Sequence, residues 1–125
     1  MGYTDKALMA HIKSSLHQVY NHHYGQVLTI GAGDTTKFYK TLAEMGLPEN
    51  VVCVILGAAR TAQTGNLMCY PGSDPMGLII GSQATITETH LISVADERVQ
   101  FARQIQNSEW TVWCMGYWTE GQVLG

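Results

Sequence analysis

Six consecutive residues, Val51-Val52-Cys53-Val54-Ile55-Leu56, are apolar without a break and rich in β-branched side chains. A run of this kind reads as a strand covered on both faces, in the middle of a sheet. It is also far too short to span a bilayer. The rest of the chain must supply the cover, and the neighbouring patterns suggest how.

Thr4 is placed to cap a helix, Asp5 suits the positive end of its dipole, and Leu8, Ile12, Leu16, Val19 and Tyr20 recur at helical spacing until Gly25. This predicts a first helix over about residues 5–23. Gln26 to Ile30 reads as a strand. Gly31-Ala32-Gly33 then leads into a second helix over about 35–45, with Phe38, Leu42 and Met45 as its apolar stripe and Gly46 and Pro48 as its stop. Strand, helix and strand in succession suggest a parallel βαβ unit or part of a mixed sheet. Residues 57–77 are broken up by Gly57, Gly65, Pro71, Gly72 and Pro75, with a short strand at Asn66 to Tyr70.

Met76 to Ile80 and Gln83 to Thr89 read as a hairpin in which Gly81 supplies a positive φ. Ser93, Asp96 and Glu97 read as the start of a third helix over about 94–107, and Glu109 to Trp118 as a closing strand. Strict alternation puts Trp110, Val112, Cys114 and Trp118 on one face of that strand and Trp113, Met115 and Tyr117 on the other. The expected fold is therefore α/β, with α+β as its competitor: a single domain over 1–125, built on one mixed sheet of five or six strands with three helices.

Only 14% of the residues are charged while 46% are apolar, against roughly 25% charged in an ordinary soluble domain. Too few charges are left to coat a monomer, so a homo-oligomer is expected, with aromatic residues in the contact. A net charge of −3 without a basic stripe argues against nucleic acid as a partner. The N-terminal residues lack the pattern of a secretory signal, and no run suits a membrane. Cys53, Cys69 and Cys114 have neither the number nor the spacing of a disulfide framework or a metal site, which fits reduced thiols in the cytoplasm.

Strand-to-helix glycines suit an anion, because free amides and the dipole end converge there. Gly31, Gly33, Asp34, Thr35 and Thr36 therefore read as one side of a ligand site. Arg60 and Thr61, beyond the central strand, would form the other side, with Trp113 stacking on the ligand. The third glycine and the acidic residue of a dinucleotide fingerprint are absent. His17, His22 and His23 suit the end of the first helix better than a metal. His90, beside Glu88 or Asp34, is a weak candidate for a general base. These features favour an oligomeric, non-catalytic binder of a small anion, nucleotides among the candidates, with no cofactor or metal. The alternatives are a small hydrolase or transferase built on His90, and a structural assembly subunit.

Overall fold

A computed structural model of the chain describes residues 18–72 and 75–120. Among these the protein is all-β, with strands β1 (Gln18–Ile30), β2 (Phe38–Thr41), β3 (Val51–Ala62), β4 (Leu67–Tyr70), β5 (Leu78–Gly81), β6 (His90–Ser93), β7 (Arg98–Arg103) and β8 (Glu109–Glu120). They form two four-stranded sheets, β1-β8-β3-β6 and β2-β7-β4-β5, and every pairing is antiparallel. The expected single mixed sheet with three helices, and the parallel βαβ unit within it, are therefore corrected.

The expected first helix lies partly outside the described residues, and its described end, 18–23, is the start of β1. Across this stretch Tyr20 and Tyr24 share one face while Asn21 and His23 share the other, a period of two that helical spacing had masked. Pairing with β8 over the whole length of β1 decides between them.

The expected second helix survives only as its last turn. Thr41 and Glu44 form a reciprocal capping box: the Thr41 amide and hydroxyl donate to Glu44 Oε1 (3.0 and 3.2 Å), and the Glu44 amide donates to Thr41 Oγ1 (3.1 Å). Gly46, at φ 71°, closes the turn while the amides of Gly46 and Leu47 reach the carbonyls of Ala43 and Leu42. Residues 38–41, before it, pair with β7 instead.

The expected third helix is a hairpin. Asp96 and Glu97 both have positive φ (55° and 57°), and the Arg98 amide donates to the Ala95 carbonyl. That is the signature of a two-residue turn between antiparallel strands. Beyond it, Val99 and Phe101 turn inward, so β7 alternates where a helix was expected.

The expected hairpin at 76–89 is half right. β5 is present and pairs with β4, but residues 83–89 are not a strand and Gly81 does not have positive φ. Gly81 is needed for another reason. A Cβ there would lie 2.7 Å from the Trp110 ring and 2.8 Å from Ala58 Cβ, so the end of β5 can close onto the other sheet only without a side chain.

One buried cluster draws on both sheets: Leu28, Val54, Leu56, Ile92, Trp110 and Val112 from the first, and Leu67, Cys69, Ile80, Val99 and Phe101 from the second. Val51 to Leu56 does lie in a central strand, flanked by β8 and β6. Its two faces differ, however. Val54 and Leu56 are in the core, whereas Cys53 and Ile55 are only half-buried on the outside.

Candidate functional site

β1 and β3 both run antiparallel to β8, so they run parallel to each other with β8 between them. Ile30, Trp110 and Arg60 fall in one row across the sheet. The loop after β1 and the Arg60 end of β3 thus share one end of the molecule. No helix follows Gly31 to Thr36, so the dipole expected to attract an anion is missing.

The loop instead wraps a cation. Arg103, 8% exposed, donates from Nε to the Ser108 carbonyl (3.0 Å), from Nη1 to the Asp34 carbonyl (3.1 Å) and from Nη2 to the Gly31 carbonyl. A Cβ at Gly33 would lie 2.7 Å from the guanidinium, so glycine is what lets the loop close over it. Asp34 turns its carboxylate onto the Thr36 amide (3.0 Å), while Thr35 is exposed.

Arg60 is likewise engaged, with Nη1 donating to the carbonyls of Gly65 (3.0 Å) and Ser82 (2.7 Å). The ring beside it is that of the buried Trp110, 5.9 Å away, rather than that of Trp113. Thr61 is exposed next to it. Sequence reasoning missed Arg103 altogether. Its signal was a charged residue in phase with Val99 and Phe101, on the inward face of an alternating run.

His90 and Glu88 are together, with Nε2 and Oε2 3.4 Å apart, although the imidazole nitrogen makes no hydrogen bond. Asp34 is not part of this pair: β6, which carries His90, is at the opposite edge of the sheet from β1. His22 lies on β1 opposite Gly116, and His23 packs its ring 6.0 Å from Tyr117. Among the described residues no group of three His, Cys, Asp or Glu side chains is placed to hold a metal.

The outer face of the β1-β8-β3-β6 sheet gathers aromatic residues. A register irregularity in β8 between Cys114 and Gly116 reverses the alternation expected there. Tyr117 therefore joins Trp110, Val112 and Cys114 on the core side, opposite Val54, and Trp118 moves outward with Trp113. The expected grouping of Trp118 with Trp110, and of Tyr117 with Trp113, is corrected accordingly.

Outside, Tyr20 packs on Trp118 (4.7 Å between ring centres) and Tyr24 on Trp113 (5.5 Å). Cys53 lies beside Trp118, and Ile55 beside Leu91. Tyr24 is 69% and Leu91 59% exposed. The four strands carry only three charged residues, Arg60, Glu109 and Glu120, all near strand ends.

The three cysteines are free thiols. Burial pushes Cys69 up to about 12 and raises Cys114 and Cys53 as well. They are held as neutral thiols rather than as nucleophiles. Among the described residues no helix is long and apolar enough to cross a membrane. The chain matches no family model, no curated protein and no solved structure.

Proposed function

We propose that this protein is a structural assembly subunit that joins copies of itself through the outer face of the β1-β8-β3-β6 sheet. The observation that carries the proposal is the aromatic and aliphatic surface formed by exposed Tyr20, Tyr24 and Leu91 with half-buried Trp113, Trp118 and Ile55, on strands whose own charged residues lie near their ends. Interface centres are enriched in such aromatics and depleted of charge. A large exposed apolar patch on a soluble protein marks a contact surface.

The size is adequate. Three strands of 12 to 13 residues, at ~3.3 Å per residue and ~4.8 Å between strands, cover roughly 600 Å². Ile86, Glu88 and Thr89 already cover the part of the face over Gly57, so two such faces together bury somewhat less than ~1,200 Å², near the lower end of specific interfaces. A second copy suits this surface because strands with charges only near their ends have little to repel their own image, which a two-fold contact requires.

The reading as an anion binder drew on a helix start at Gly31 to Thr36. With the Gly31 and Asp34 carbonyls turned onto Arg103, that loop offers an anion less than the sequence suggested. Three unpaired, largely buried thiols favour a reducing compartment, and so a cytoplasmic location.

Sedimentation velocity of the wild type and of Trp113→Lys tests the assembly reading. Wild type is expected to associate in the micromolar range. Trp113→Lys is expected to weaken association by about 30-fold, the loss typical of a central tryptophan. A wild type that stays monomeric at all concentrations, or a variant that associates as well as wild type, overturns it.

A further inference from the structure

β1 is the edge of its sheet. Its other side has no strand partner among the described residues. Proteins usually protect such an edge with lysine, proline, an inward-pointing charge or a bulge. In β1 there is no Lys, Arg, Asp, Glu or Pro. The register irregularities of β1 fall after His22, and Gln18 to His22 pair with Glu120 to Gly116 without interruption.

This half of the strand is also about half exposed on both faces. Val19, on the inward side, is 50% exposed and Tyr20, on the outward side, is 46% exposed. β2, which follows β1 in the chain, has only four residues, and they pair with β7 rather than with β1. Among the described residues the result is an edge without Lys, Arg, Asp or Glu whose outward amides and carbonyls form a template for another strand.

We infer that residues Gln18–His22 pair antiparallel with the same residues of a second copy, about a two-fold axis through Tyr20, joining two four-stranded sheets into one of eight. In that register Gln18 faces the His22 of the second copy and Val19 faces its Asn21, and no charge meets a like charge. The inference rests on the assembly reading and deepens it by adding a contact distinct from the outer face. Two different two-fold contacts on one subunit build assemblies larger than a dimer.

The test uses the full chain as wild type, Trp113→Lys, Val19→Lys and the double variant, each checked for wild-type circular dichroism, and reads mass in solution. Val19 points away from the outer face, so a lysine there puts a charge on the edge and leaves that face intact. Wild type is expected to be larger than a dimer, each single variant a dimer, and the double variant a monomer. Amide exchange at residues 18–22 is expected to slow with rising protein concentration, which a folding defect in Val19→Lys cannot imitate. A Val19→Lys mass equal to wild type, or exchange at 18–22 independent of concentration, overturns the edge contact while leaving the outer-face contact standing. If Trp113→Lys keeps the wild-type mass and Val19→Lys loses it, the edge contact stands and the outer-face reading falls.

Discussion

Arg103 shows how one side chain sets the end of the molecule. A buried guanidinium is costly unless its donors are all used. Here three carbonyls and the Phe38 ring, 5.1 Å away, surround it with no carboxylate in contact among the described residues. Arg103→Met removes the donors and strands the carbonyls of Gly31, Asp34 and Ser108. A loss of about 3 kcal/mol is expected, seen as a fall of roughly 10 °C in a thermal melt. Gly33→Ala is expected to destabilise in the same direction, since its methyl group displaces the guanidinium.

Cys69 makes a different residue-scale prediction. Its folded pKa is raised, so the neutral thiol favours folding below the ordinary thiol range, and that advantage is lost as pH rises toward about 12. Above about pH 9, stability should fall by about 1.4 kcal/mol for each pH unit from this group alone. Urea melts at alkaline pH check this, and Cys69→Ala is expected to have the flatter profile.

At the scale of elements, the strands were more legible than the turns between them. Val51 to Leu56, Asn66 to Tyr70 and Glu109 to Trp118 carry composition that only a sheet satisfies, and each is largely or wholly strand. Residues 94–107 form a hairpin rather than the expected helix, although Ser93, Asp96 and Glu97 look like a capped helix start. Asp96 and Glu97 are instead the left-handed centre of a two-residue turn. The clue was downstream, in the alternation of Arg98-Val99-Gln100-Phe101.

The same physics decided the candidate site. Gly31, Gly33 and Arg60 are recognisable as special; Gly33 leaves room for Arg103 and the Gly31 carbonyl accepts from it, while no helix after Thr36 supplies the dipole expected there. The outer face was legible only as a low charge fraction and a set of tryptophans. Which of them point outward depends on a register irregularity that strict alternation does not reveal.

Because Glu97 carries a side chain in a left-handed conformation, Glu97→Gly is expected to stabilise the protein by up to ~1 kcal/mol. A rise of a few degrees in the melting midpoint checks this. The capping box predicts the opposite for Thr41→Ala, a loss of about 1 kcal/mol. The Thr41 hydrogen bonds hold Glu44 below its ordinary value, so the contribution of that carboxylate is present above the usual glutamate range and fades as pH falls through it.

For the whole molecule, two sheets close one core between them, and the outer face of one sheet is the surface we propose a second copy covers. Cys53 is half-buried on that face, in register with Trp118 on one side and Ser93 on the other. Its thiol therefore reports directly on whether the face is covered, while Cys69 and Cys114 are buried and react only on unfolding. The most direct measurement is the rate of maleimide labelling at Cys53, in a Cys69→Ala, Cys114→Ala background, as a function of protein concentration. Labelling that slows as concentration rises, and speeds up again in Trp113→Lys, is the predicted result. A rate independent of concentration in an associating protein would contradict burial of this face by a second copy.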